Sequence, residues 1–211
     1  MSDKDLEQRL LQLFYELHKH PELSYEEVET TKRLRAVLNE AGIKILDLPL
    51  KTGLVAEIGA GKPIVALRTD IDGLPVHEKT GLPYASEEEG KMHACGHDFH
   101  MSMAVGAAFL LKEREAEIDG TVRIIFQPAE EAPGGALDVM KTGILDDVRA
   151  IFGLHVVPFV KEGTLGIKEG AITASVDRFE IAFHGRGTHA AEPERGLDPI
   201  PALSSFVMTA Q

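Results

Sequence analysis

The stretch Val122-Arg-Ile-Ile-Phe-Gln-Pro-Ala-Glu-Glu131 is a largely apolar run that stops at a proline and two carboxylates. A short apolar run closed by a turn signal reads as a buried strand. Ala150-Ile-Phe-Gly-Leu154 is a second run of this kind. Leu54-Val-Ala-Glu-Ile58 and Pro63-Ile-Val-Ala-Leu67 are two more, and the Gly59-Ala-Gly61 between them predicts a hairpin. Helical patterns lie between the later strands, one near 99–115 and one near 135–142, ending before Gly143. Upstream, Leu6, Leu10, Leu13, Phe14 and Leu17 recur at helical spacing over 3–18, and Pro21 stops that helix. Ser24-Tyr-Glu-Glu27 has the form of a capping box and predicts a second helix carrying Val28, Thr31, Leu34 and Leu38, with Gly42 as its C-terminal cap. Strands alternating with helices predict an α/β fold, a mixed sheet layered with helices.

The pattern changes after about residue 172. Arg178-Phe-Glu-Ile-Ala-Phe-His184 alternates apolar and polar positions, which predicts a strand with one wet face. The glycine-rich segment His184-Gly-Arg-Gly-Thr-His189 follows, and Pro199 opens a helix with Ile200, Leu203, Phe206 and Val207 on one side. We therefore expect a first domain over 1–173 and a second over 174–211. The last helical pattern runs to Thr209-Ala-Gln211 without a stop signal, so the expectation is that the second domain is incomplete in this chain.

Composition narrows the function classes. The chain has 211 residues, 34 acidic and 22 basic, for a net charge of -12. That balance argues against nucleic acid or an anionic membrane as the main partner, since both select basic faces. The single cysteine excludes an internal disulfide and fits a reducing compartment. The N-terminus Met1-Ser-Asp-Lys-Asp-Leu6 lacks the basic-then-apolar order of a signal peptide, and the longest apolar stretch, around Ala104 to Leu111, is too short to span a bilayer. The expectation is a soluble, cytoplasmic protein.

Four spots concentrate metal-type ligands, each at or just past the end of an expected strand, where open α/β sheets bind ligands. Arg68-Thr-Asp-Ile-Asp72 follows the strand ending at Leu67, and its two acids point the same way if the segment stays extended. Alone it reads equally as a charged turn. His93-Ala-Cys-Gly-His-Asp98, with His100 beyond, offers thiolate and imidazoles suited to zinc-like ions. A lone cysteine is ordinarily an inert buried residue; three histidines and an aspartate beside it favour a site. Gln127-Pro-Ala-Glu130-Glu131 offers two carboxylates that can divide the labour, one on a metal and one on a proton. Gly153-Leu-His155 places a histidine at the end of the strand 150–154. His189, in a glycine-rich turn of the second domain, could donate to an oxyanion or clamp a substrate. His18, His20, His77 and His184 lack such neighbourhoods and read as structural or surface residues. A cysteine-nucleophile site at Cys95 would leave the glutamate pair without a role.

Together and in order, these segments resemble the aminoacylase-type metallopeptidase family, in the branch of hippurate hydrolases, N-acetyldiaminopimelate deacetylases and plant auxin-conjugate amidohydrolases. The stretches that carry the resemblance are His18-Lys-His-Pro-Glu-Leu-Ser24, Leu67-Arg-Thr-Asp-Ile-Asp-Gly-Leu-Pro75, Met92-His-Ala-Cys-Gly-His-Asp98, Gln127-Pro-Ala-Glu-Glu131, Gly153-Leu-His155 and Gly185-Arg-Gly-Thr-His-Ala-Ala-Glu-Pro193. The resemblance implies that Cys95, His97, Glu131 and His155 are metal ligands, with Cys95 where related branches place a bridging carboxylate. It implies Glu130 as general acid/base, Asp72 as the supporting acid, and His189 as a lid-domain histidine that reaches the active site of a partner subunit. Asp70 stands where other branches have a metal-binding histidine, and that role is not carried onto it.

The implied fold is a catalytic α/β domain with an inserted α+β lid/dimerisation domain, both incomplete here, because family members are longer and a returning segment supplies one further histidine ligand. The implied activity is hydrolysis of N-acyl-L-amino acids with two divalent ions per site (Mn, Zn or Co), in a homodimer formed through the lid. An inactive fragment, a non-catalytic binding module of the same fold, and a dipeptidase or carboxypeptidase remain as alternatives.

Overall fold

The apolar run at 122–126 lies inside β4 (Gly120–Gln127), the middle strand of a five-stranded sheet. The computed structural model describes residues 2–210. β1 (Lys44–Ile45), β2 (Leu54–Ala60), β3 (Ile64–Asp70) and β5 (Val148–Gly153) complete the sheet in the order β1-β2-β4-β3-β5. β3 runs parallel to both β4 and β5, whereas β2 is antiparallel to β1 and β4. The sheet is thus mixed. Its central strands are buried on both faces, which is why they read as near-continuous apolar runs.

The expected hairpin between β2 and β3 does not form. β4 lies between them, pairing Leu54 with Phe126 on one side and Asp70 with Gln127 on the other. Gly59 and Gly61 do turn the chain, both with positive φ, and a Cβ at Gly59 would meet the Gly120 carbonyl at 2.4 Å. The turn carries the chain past β4: the Thr121 N–H donates to the Pro63 carbonyl at 2.9 Å, and the Thr121 hydroxyl to that of Gly61 at 2.9 Å. A local turn signal has no view of a strand that arrives only after the next helix.

Helices α1 (Asp3–Lys19), α2 (Val28–Glu40) and α3 (His97–Glu113) cover one face of the sheet. Leu13, Leu17, Leu34, Leu38, Met101 and Phe109 pack there against Leu54, Ala56, Ile58, Ile124 and Phe126. The alternate strand residues Val55, Ala66 and Ile125 face the other way, against Val139 of α4 (Gly135–Lys141) and Ile144. α2 ends as expected at Gly42, in the left-handed region (φ 66°), with Gly42 N–H to Asn39 O and Ile43 N–H to Leu38 O, the two bonds of a Schellman cap.

The capping box expected at Ser24 gives way to tertiary contacts. Ser24 Oγ donates to Asp72 Oδ2 at 2.6 Å. The buried Glu27 carboxylate accepts from Thr52 Oγ1 and from the Ala129 N–H, each at 2.7 Å. Side chains that could cap α2 are instead spent on holding the segments that follow β3 and β4.

The chain divides into two compact units between Phe159 and Val160. Residues 161–182 of the second unit run exposed. In the second unit, the strand expected over 178–184 is not formed: Phe179 is 69% exposed, and the pairing seen among the described residues of this unit is the single bridge Arg186–Leu197. A strand needs a neighbour for its backbone polar groups, and 178–184 has none here. The helix expected from Pro199 is α5 (Pro199–Ala210), with the Phe206 ring near those of Phe179 and Phe183. Among the described residues, no helix is long and apolar enough to cross a membrane.

Candidate metal centre

Because β3, β4 and β5 are parallel, their carboxyl ends share one edge of the sheet, and α3 begins at that edge. Asp72 leaves β3 there, Glu130 and Glu131 leave β4, His155 leaves β5, and Cys95 and His97 flank the start of α3. Potential ligand atoms of Cys95, His97 and His155 lie within 4.8 Å of one another, and so do those of His97, Glu130 and Glu131. His97 is common to both groups.

Backbone geometry makes these approaches possible. Gly96, between Cys95 and His97, is left-handed (φ 81°), and a Cβ there would stand 2.5 Å from Val156 Cγ2. Ala129 is also left-handed (φ 48°), a costly conformation for a residue with a side chain. Its N–H is tied to the buried Glu27, and the turn it makes aims the next two residues at the site.

Asp72 organises the glutamate loop. Its Oδ1 accepts the Glu130 N–H and its Oδ2 the Glu131 N–H, both at 3.0 Å. Burial works to raise its pKa, but hydrogen bonds from His97, Ser24 and the two backbone amides outweigh it and hold the value at about 2. Asp72 also orients His97, whose Nδ1 lies 2.8 Å from the Asp72 carbonyl and 3.3 Å from Oδ1. His97 Nε2 is buried and has no hydrogen-bond partner among the described residues. Around it stand Asp70 Oδ1 at 3.8 Å, Glu130 Oε2 at 3.9 Å and Glu131 Oε1 at 3.9 Å. Burial works to lower the pKa of this imidazole, and Asp72, Asp70 and Glu130 together raise it.

This donor set fits a divalent cation. A buried, unpartnered nitrogen facing carboxylates is the environment a positive charge would satisfy. Thiol, imidazole and carboxylate donors suit borderline metals. Cys95 Sγ lies 3.3 Å from His155 Nε2, and the other ring nitrogen of His155 is bound to the Val156 carbonyl at 2.6 Å. In the protein alone, burial, with Glu131, Glu130 and Asp70 nearby, pushes the Cys95 thiol up to about 12; a bound cation inverts that balance. Burial first, and then the charge of Glu131, raises the pKa of Glu130. A carboxyl shifted towards neutrality is suited to carrying a proton.

The first unit therefore brings together Asp72, Cys95, His97, Glu130, Glu131 and His155. His189 belongs to the second unit, where its Nδ1 accepts the Ala191 N–H at 3.1 Å. The sequence places His100 in the cluster around Cys95 but gives it no role of its own. It lies one helical turn beyond His97, the i, i+3 spacing that puts two side chains on one face, and that spacing was the available signal.

The model of peptidase family M20/M25/M40 matches residues 66–200. The chain belongs to that family. Among M20 relatives, it is 52% identical over 214 residues to an N-acetylcysteine deacetylase of Bacillus subtilis, covering 100% of this chain and 56% of that protein. It is 44% identical over 196 residues to IAA-amino acid hydrolase ILR1-like 5 of Arabidopsis thaliana, covering 92% of this chain and 45% of that one. A crystal structure of a dinuclear metal binding M20 peptidase from Bacillus subtilis superposes with a TM-score of 0.77 at 54% identity, over 80% of this chain and 48% of the other. The chain thus spans about half the length of the curated M20 proteins it matches.

Proposed function

We propose that this chain carries the metal site of an amidohydrolase that removes the acyl group from N-acyl-L-amino acids. The observation that carries this reading is the convergence of Cys95, His97, Glu131 and His155 around the unpartnered His97 Nε2, with Glu130 beside them. The similarity to an N-acetylcysteine deacetylase and to an IAA-amino acid hydrolase supports the substrate class. The similarity to a dinuclear M20 peptidase supports two divalent ions, drawn from manganese, zinc and cobalt.

Cys95 Sγ, His97 Nε2, Glu131 and His155 Nε2 would hold the ions. When bound, they supply Lewis acidity and lower the pKa of water. Glu130 accepts the proton of the attacking water as its oxygen adds to the acyl carbonyl. It then returns that proton to the amine nitrogen as the C–N bond breaks, leaving a free amino acid and a carboxylic acid that loses its remaining proton to solvent. Asp72 keeps Glu130 and Glu131 in register through their backbone amides and keeps the His97 ring oriented. His189, on the lid domain that begins over 174–211, is read as the oxyanion donor to the active site of a partner subunit. The complete protein is a cytoplasmic homodimer joined through its lid, acting on small molecules and not on nucleic acid or membranes.

The test is Glu130→Gln in the full-length protein. Metal content should be retained, and hydrolysis of N-acetyl amino acids should fall by about 10²–10⁴. Turnover near that of the unaltered protein would remove Glu130 from the proton-carrying role.

A further inference from the structure

We propose that His100 is a positioning residue for the metal site, holding the His155 loop against the start of α3 by linking Asp70 to the backbone of Val156. The inference rests on the reading of His155 as a ligand and adds a residue that reading leaves unused.

His100 is 3% exposed, and both its ring nitrogens are engaged. Its Nε2 lies 3.0 Å from the Val156 backbone nitrogen, and its Nδ1 lies 2.7 Å from Asp70 Oδ1. A backbone N–H can only donate, so Nε2 must be the accepting, unprotonated nitrogen. The ring proton then sits on Nδ1 and is donated to Asp70. Asp70 Oδ2 in turn accepts from Arg68 at 2.7 Å, and Arg68 Nε reaches Gln127 Oε1 at 2.9 Å. The chain from Gln127 to Val156 thus ties the ends of β4 and β3 to the loop after β5.

This accounting separates two histidines that look alike. Asp70, His97 and His100 are close enough together to form a third ligand group. His97 has a nitrogen to give and His100 has none, so His100 acts on the site through other residues.

Val156 is the point of action. Its N–H goes to His100, while its carbonyl accepts from His155 Nδ1 at 2.6 Å. One residue thereby fixes the loop and sets the tautomer of His155, leaving His155 Nε2 towards Cys95 Sγ. A Cβ on Gly96 would stand 2.5 Å from Val156 Cγ2, so the same residue also packs onto the turn between Cys95 and His97. The loop has little else to hold it: Leu154 is 54% and Phe159 85% exposed.

Two substitutions divide the ring's two bonds. In His100→Gln the amide oxygen falls near the place of Nε2 and can accept the Val156 N–H. In His100→Asn the amide nitrogen falls near Nδ1 and can serve Asp70, but the Val156 N–H is left without a partner. Cobalt affinity of the full-length protein is measured by chelator competition, together with the thiolate-to-cobalt absorption band that Cys95 contributes and the melting temperature of the metal-free form. Asn should weaken cobalt binding by about 10–100-fold and shift the band, Gln should recover most of both, and the two metal-free variants should melt alike. Equal affinities and spectra for the two variants, whether both intact or both impaired, overturn the inference while the metal-site reading stands. A parent protein that binds no cobalt overturns that reading, and this inference with it.

Discussion

Replacing Asp72 by asparagine keeps the shape of the side chain and removes its charge. In the structure both carboxylate oxygens accept a backbone amide, from Glu130 and Glu131, and Oδ2 also accepts the Ser24 hydroxyl at 2.6 Å. An amide side chain has one accepting oxygen, so in either orientation its NH₂ faces one of the two backbone N–H donors. A buried N–H left unpaired costs about 1–3 kcal/mol, and the surviving bonds lose their charge assistance, which is about half their strength. Together these give a loss of roughly 2–4 kcal/mol. The depression of the carboxyl pKa from 3.8 to about 2 corresponds to roughly 2–3 kcal/mol, an independent route to a similar figure. Since the folded value is the lower one, this stability is present above about pH 3.9 and is lost as the pH falls through the folded value of about 2. Urea unfolding of the metal-free protein, followed by far-ultraviolet circular dichroism, measures the difference. A loss below about 1 kcal/mol at neutral pH would refute the claim that the Asp72 carboxylate holds the glutamate loop.

Cys95→Ala should lower the metal content of the full-length protein, read by elemental analysis; an unchanged content counts against Cys95 as a ligand. His18 gives a prediction away from the ligands. Its Nδ1 lies 2.5 Å from Asp98 and its Nε2 3.2 Å from Glu78, and the Asp98 hydrogen bond, outweighing burial, raises its pKa. The stability this contributes is fully present below about pH 6.5, the unfolded value, and disappears as the pH rises through the raised folded value. The gap in urea midpoint between the parent protein and His18→Gln should therefore narrow as the pH rises above about 6.5; a constant gap would show that the charge on His18 is not what stabilises the fold.

What the sequence makes legible follows from which interactions are local. The apolar runs and helical periodicities place all the main elements of the first unit within a few residues, because burial on a sheet or under a helix imposes its own period. Three of the four ligand-bearing spots are legible for a related reason: Asp72, the glutamate pair and His155 each follow a strand, and parallel strands deliver their carboxyl ends to one edge, whereas the fourth, Cys95 and His97, sits at the start of α3, with no strand directly before it. Pairing is not local, and there the reading fails. Gly59 and Gly61 are genuine turn residues, yet the partner of β2 is β4, which arrives after α3. Ser24 has the chemistry of a helix cap, yet Asp72 offers it a buried carboxylate. The alternation of residues 178–184 signals a half-buried strand only where another strand is present to pair with it. Asp70 and Asp72 show the same limit at the site. Their i, i+2 spacing suggests one shared job, but β3 ends at Asp70, and beyond it Asp70 serves Arg68 and His100 while Asp72 serves the glutamate loop. The weight of His100 depends on Val156, a partner no local motif points to.

The central claim is that a divalent cation sits among Cys95, His97, Glu131 and His155. Anomalous diffraction from crystals of the full-length protein grown with manganese or zinc locates the ion directly. An anomalous peak is expected within bonding distance of Cys95 Sγ, His97 Nε2, a Glu131 oxygen or His155 Nε2, with every peak at this edge of the sheet sharing at least one of them. A peak elsewhere in the molecule, with none among these four residues, would contradict it.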